Sequence, residues 1–167
     1  ICYAEQNRLL FGVSNTEFAP NEPLTRAMFV TILYRAEGQP QTNNILKFED
    51  VAENAYYANA VSWASENGII AGVSDTGFVP ERDITREEMA VVISRYADYK
   101  GINTDSRGDL SVFTDADAVS RWARENVAWA VGTGLISGKG DNILDPLSSI
   151  TRAETAAILN RFLEKDG

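Results

Sequence analysis

The feature that most constrains this chain is a segment occurring three times: GVSNTEFAPNEPLTRAMF at Gly12–Phe29, GVSDTGFVPERDITREEM at Gly72–Met89 and GKGDNILDPLSSITRAET at Gly138–Thr155. The copies align without a gap, and their Thr-Arg pairs fall at Thr25-Arg26, Thr85-Arg86 and Thr151-Arg152. Upstream, AVSWASENGIIAG (Ala60–Gly72) matches NVAWAVGTGLISG (Asn126–Gly138) and, more weakly, ICYAEQNRLLFG (Ile1–Gly12), so that Trp63, Trp129 and Tyr3 correspond. FEDV (Phe48–Val51) matches FTDA (Phe113–Ala116), and Tyr56 and Trp122 each stand seven residues before Trp63 and Trp129. The first copy lacks this head. A repeat of this length is one supersecondary unit that cannot bury its apolar face alone, so three copies are expected to share one core.

Each unit reads as helix, loop, helix. Tyr56 to Asn67 carries apolar residues at helical spacing and ends at Gly68, with Gly134 matching it, where a helix-stopping glycine belongs. The loop Gly72–Asp83 holds Phe78-Val79-Pro80, read as a short extended piece. The second helix opens with Thr85 as N-cap and Glu88 three residues on, a capping box repeated by Thr151 and Glu154. Met89, Val92/Ile93 and Tyr96 then form an apolar stripe, as do Phe29, Ile32/Leu33, Ala36 and Thr155, Ile158/Leu159, Phe162. The expectation is a mainly α chain of three repeats, residues 1–40, 45–100 and 109–165, in one pseudo-threefold domain around a central three-helix bundle.

Composition narrows function by exclusion. The 167 residues contain no His, which removes His-metal sites, Ser-His and Cys-His nucleophilic pairs and His proton shuttles. The single cysteine, Cys2, can form no internal disulfide. A net charge of −9 repels phosphate backbones and anionic lipid, so neither nucleic acid nor a membrane surface is an expected partner. No apolar stretch is long enough to span a bilayer, and membrane insertion is not expected. The chain opens at Ile1 inside a helical pattern, as a piece of a longer polypeptide would.

Within the recurring T-R-x-E set, capping accounts for Thr and Glu, whereas arginine at the first helical position opposes the helix dipole. Arg26, Arg86 and Arg152 nevertheless occupy it in every repeat. Two readings stand side by side: an ion pair with a carboxylate of a neighbouring unit, such as Asp50 or Asp115, or a site where the guanidinium and free helix-start N–H groups converge on an external carboxylate or phosphate. Arg35, Arg95 and Arg161, at the other end of the same helices, suit the dipole and need no functional explanation. Trp63 and Trp129 read as buried or as a floor for a sugar ring, an ambiguity Tyr56 and Trp122 share. Gly72 and Gly138, like Gly12, open the loops where the backbone needs positive φ or close approach, and Asp50 and Asp115 either cap a helix or hold an arginine.

The ordered motif F-x-D-V, then aromatic-x-x-x-A-V-x-W-A, G-I-I-x-G, F-x-P and I/L-T-R-x-E resembles the S-layer homology repeat, over nearly the whole chain in three copies. The resemblance implies a three-pronged pseudo-trimer that attaches a larger exported protein non-covalently to a secondary cell-wall polysaccharide, often pyruvylated, at the bacterial cell surface. It carries glycan-binding roles to Arg26, Arg86 and Arg152, helped by Trp63, Trp129, Gly72 and Gly138, with Asp50 and Asp115 beside them. No cofactor or metal is implied. The sequence departs from the pattern at Met28 for Glu, Arg8 for Gly, Tyr3 for Trp, Ala116 for Val and Lys139-Gly140 for Val-Ser. An enzyme is not expected, since no acid/base constellation breaks the threefold pattern as a single active site would; calcium at Asp75 or Asp141 lacks the oxygen-ligand spacing of an EF-hand. The alternative is a structural or protein-binding scaffold in which every first-turn arginine merely bridges units.

Overall fold

The computed structural model describes residues 19–43 and 47–166. It is mainly helical: α1 (Arg26–Ala36), α2 (Ala58–Glu66), α3 (Arg86–Tyr99), α4 (Arg124–Gly132) and α5 (Arg152–Asp166), with two 3-10 turns at Leu110–Val112 and Ala116–Ala118. The helices α1, α3 and α5 are the second helices of the three repeats; α2 and α4 are the first helices of repeats two and three. The first helix expected of repeat one, with Tyr3 and Arg8, and the loop expected from Gly12 lie outside the described residues.

The helix ends follow from local chemistry. The Thr25 hydroxyl accepts from Met28 N–H, while Thr85 with Glu88 and Thr151 with Glu154 form reciprocal capping boxes. At the C-termini of α2 and α4, Gly68 and Gly134 both take φ of +69°, and Ile69 and Leu135 donate back to Ala64 and Ala130. Tyr56 precedes α2 and does not belong to it.

What makes one structure of three repeats is a closed ring of main-chain hydrogen bonds. Leu24 N–H donates to Ile150 O at 3.0 Å, Ile150 N–H to Ile84 O at 3.0 Å, and Ile84 N–H to Leu24 O at 2.9 Å. The three side chains at the ring are fully buried, and isolated bridges Pro23–Thr151, Thr25–Asp83 and Thr85–Ser149 flank it. No repeat can satisfy these amides alone, so the ring couples the starts of α1, α3 and α5 into one unit. Further along, α1 packs on α2 and α3 on α4, and the Tyr96 and Phe162 rings meet at 5.4 Å. Buried apolar residues of all three repeats form one cluster.

Among the described residues Phe78-Val79-Pro80 forms no strand, contrary to the extended piece expected there. Ala19, Val79 and Asp145 occupy one equivalent position and take φ of 49°, 55° and 56°. For β-branched Val79 this conformation costs on the order of 1–3 kcal/mol and persists because its surroundings impose it. Asp50 supplies the restraint: its carboxylate accepts from Phe78 N–H at 2.8 Å and Val79 N–H at 2.6 Å. Asp115 does the same for Leu144 and Asp145, at 2.8 and 2.7 Å. The F-x-D head is thus a brace for the loop.

Gly72 and Gly138 are required by close approach, with ordinary negative-side φ. A Cβ on Gly72 would lie 2.5 Å from Ser74 O, 2.6 Å from Gly77 O and 2.6 Å from the Phe48 ring. Two of these neighbours are main chain and cannot swing away, so Gly72→Ala is expected to destabilise by about 1–3 kcal/mol, measured as a lower urea midpoint at unchanged m-value.

Candidate functional site

The first-turn arginines meet the loop of the next repeat. Arg26 is 5% exposed; its Nε donates to Phe78 O and its Nη2 to Ala71 O, both at 2.9 Å, and its guanidinium lies 4.9 Å from the Phe78 ring centroid. Arg86 repeats this on repeat three, with Nε to Leu144 O, Nη2 to Ser137 O and Nη1 to Glu154, each at 3.0 Å. Arg152 is equally buried, and the loop matching that role begins at Gly12, outside the described residues.

This geometry corrects two expectations. The carboxylates on the arginines are Glu88, 3.7 Å from Arg26 Nη1, and Glu154, while Asp50 and Asp115 spend their oxygens on loop amides. Nor are the helix-start amides free for an anion. The N–H groups of Arg26 and Ala27 donate to Arg82 O and Pro80 O, those of Arg86 and Glu87 to Ser148 O and Pro146 O, and those of Arg152 and Ala153 to Glu22 O and Pro20 O, at 2.9–3.0 Å. The arginine tolerates the unfavourable end of the dipole because these carbonyls, and those on its side chain, surround it with partial negative charge.

Charge states follow the same contacts. Burial lowers the pKa of Arg26, with Glu88 pulling it back up, and burial also lowers that of Arg152. For Asp50 the cost of burial is outweighed by the Phe78 and Val79 amides, which hold it below the usual carboxylate value; the Leu144 amide does the same for Asp115. Glu154, opposed by burial, is brought down by the Thr151 amide, Arg86 and Lys139.

Trp63 and Trp129, expected as possible sugar floors, are 2% exposed. Trp63 is enclosed by Tyr34, Tyr96 and Tyr99 at centroid distances of 5.6, 6.4 and 5.7 Å. Neither ring has a face to offer, because helical spacing turns both toward the core. Tyr56 and Trp122 are 62% and 59% exposed. The preceding-position aromatics, and not the helix tryptophans, reach solvent.

Two equivalent grooves run between repeats. The first, about 340 Å³, has Arg26, Ile70, Gly72, Glu88, Val92 and Arg95 on its walls, with Ala71, Val73, Val91 and Trp122 completing it. The second, about 260 Å³, has the matching Arg86, Ile136, Gly138, Glu154, Ile158 and Arg161, with Leu135, Ser137, Lys139 and Ala157. Arg95 and Arg161, which needed no role on helix-dipole grounds, therefore line the grooves. Among the described residues Arg95 makes no hydrogen bond or ion pair, whereas Arg161 donates to Leu135 O at 3.1 Å. The first groove thus draws on all three repeats: Arg26 from the first, loop and helix from the second, Trp122 from the third. Ser120, two residues before Trp122, is held through its N–H and hydroxyl by the buried Glu87, at 2.8 and 2.7 Å. Among the described residues no group of acidic or thiol side chains is arranged to hold a metal ion, and no helix is long and apolar enough to cross a membrane.

Three repeats joined by a closed ring of main-chain hydrogen bonds, with arginine-lined grooves at the two described seams, make a tandem-repeat module. The profile of the S-layer homology domain matches residues 1–28, 47–90 and 112–156, and the chain belongs to that family. Over 93% of its length it is 34% identical to an amylopullulanase of Thermoanaerobacterium thermosulfurigenes, and over 92% it is 35% identical to a surface-layer 125 kDa protein of Lysinibacillus sphaericus. Over 96% it is 30% identical to a cellulosome-anchoring protein of Acetivibrio thermocellus. It spans only 8%, 13% and 36% of those three proteins.

Proposed function

We propose that this chain anchors a larger exported protein to the bacterial cell wall by binding an acidic secondary cell-wall polysaccharide, pyruvylated on some of its sugars, through the grooves between repeats. The observation that carries this reading is the first groove, where Arg95, without an acidic partner among the described residues, shares one cavity with the exposed indole of Trp122 and the Gly72 main chain. A cation with unspent donors suits a ketal carboxylate, and an exposed aromatic face suits the C–H face of a sugar ring. The names of the relatives, a surface-layer protein and an anchoring protein, agree with attachment at the cell surface. Binding without bond chemistry suffices, and repetition along a polymer supplies avidity.

Calorimetric titration with purified pyruvylated wall polymer and with the same polymer after pyruvate removal tests the reading. Binding to the pyruvylated form alone is expected. Heat-silent mixing with both, in protein shown to be folded by circular dichroism, replaces this reading with that of a scaffold whose arginines only join repeats.

A further inference from the structure

The two described grooves share a plan but differ in where their glutamate is held. In the second groove, Glu154 Oε1 lies 3.0 Å from Arg86 Nη1 and 3.7 Å from Lys139 Nζ. Each nitrogen of the Arg86 guanidinium then makes a hydrogen bond: Nε and Nη2 to carbonyls, Nη1 to the carboxylate. In the first groove the order is reversed. Glu88 Oε1 lies 2.5 Å from Arg82 Nη2 and 3.7 Å from Arg26 Nη1, and among the described residues that nitrogen makes no hydrogen bond. Glu88 Oε2 is meanwhile fixed by the Thr85 amide, so the side chain pivots about its capping bond and only Oε1 chooses a partner.

The residue that reverses the order is not part of the repeated pattern. Arg82 stands where repeat three has Ser148, whose hydroxyl turns instead to Asp145 at 2.5 Å. The Arg82 side chain is 39% exposed at the loop, while the side chains of Arg26 and Glu88 are 6% and 15% exposed, so the accessible cation takes the carboxylate and leaves the buried one with a donor. From this we infer that Arg82 is a positioning residue that raises the anion affinity of the first groove by drawing Glu88 away from Arg26, making it the stronger of the two described grooves for an acidic sugar. The inference rests on the glycan-binding reading above for its ligand, though the Glu88 arrangement itself exists without one. An incoming carboxylate at the second groove competes with Glu154 for Arg86 Nη1; at the first it meets an Nη1 that is not hydrogen-bonded.

A double-mutant cycle read at the first groove tests this. Trp122 is the exposed one of the three tryptophans, so its emission reports occupancy of that groove. The probe is a pyruvylated oligosaccharide released from the wall polymer and short enough to fill one groove. Arg82→Ser, which copies repeat three, is expected to weaken binding about fivefold, on the order of a one-kilocalorie electrostatic change. In a Glu88→Gln background, which keeps the capping acceptor, the same substitution should change nothing. An equal loss in both backgrounds, or no loss in either, overturns the inference. A glycan-free measurement separates this failure from that of the functional reading: the NMR signal of Arg26 Nε–H should shift between the parent and Arg82→Ser, and not between Glu88→Gln and the double variant. If the signal shifts but no variant, nor the parent, binds the oligosaccharide, the glycan reading falls while the Glu88 switch stands; if the signal stays put, the switch falls whatever binds.

Discussion

Replacing Arg86 with alanine is expected to lower the melting temperature by about 10 °C. The truncation strips hydrogen bonds from Leu144 O and Ser137 O and leaves Glu154 without its nearest cation. Each orphaned group costs roughly 1–3 kcal/mol. For a domain of this size roughly 2–4 °C is lost per kcal/mol. Lysine is not expected to rescue the variant, because one ammonium cannot reach three acceptors laid out for a planar fork. Thermal unfolding followed by circular dichroism decides: a melt within 2 °C of the parent would show that the loops hold together without the guanidinium. It follows that alanine at 26 or 86 is a poor probe of ligand binding, since lost binding would report lost structure.

Much of the fold was legible in the sequence because the repeat made each local signal testable more than once. Thr85 with Glu88 and Thr151 with Glu154 announced helix starts, and Gly68 and Gly134 announced helix ends, through chemistry confined to a few neighbouring residues. The site was less legible, for reasons that differ by residue. The dipole argument correctly marked Arg26 and Arg86 as unusual. It addressed one helix at a time, however, and the carbonyls that satisfy these arginines, Phe78 O and Ala71 O for one and Leu144 O and Ser137 O for the other, lie between 45 and 58 residues away. The same locality set Arg95 and Arg161 aside, because a groove between repeats leaves no trace in a helix's own charge pattern. Tyr56 and Trp122 escaped assignment for another reason. The seven-residue spacing to Trp63 and Trp129 suggests one helical stripe, but α2 and α4 begin only at Ala58 and Arg124, so the earlier aromatic sits in the preceding turn and escapes the core. Their exposure was readable only from the helix start, and neither start carries a capping side chain to mark it.

Arg95→Ala, by contrast, is expected to leave the melting temperature within about 2 °C of the parent, as substitutions that remove no buried partner do, while weakening the glycan interaction of the first groove by about tenfold to a hundredfold. The stability half of the expectation follows from the absence of any hydrogen bond or ion pair to Arg95 among the described residues. The binding half follows from charge. The chain carries −9 overall, but at physiological salt fields fade over about 8 Å, so an acidic polymer in the groove senses Arg95 and Arg26 far more than the acidic surface beyond. A charge-assisted hydrogen bond to a ketal carboxylate contributes roughly 1.5–3 kcal/mol, and removing Arg95 also leaves Glu88 less opposed in the same cavity. Titrating parent and variant with pyruvylated polymer, at low and at high salt, measures both contributions. A parent-like affinity in folded Arg95→Ala would place the anion elsewhere; a loss that persists against the depyruvylated polymer would mean that Arg95 contacts the sugar ring and not its carboxylate.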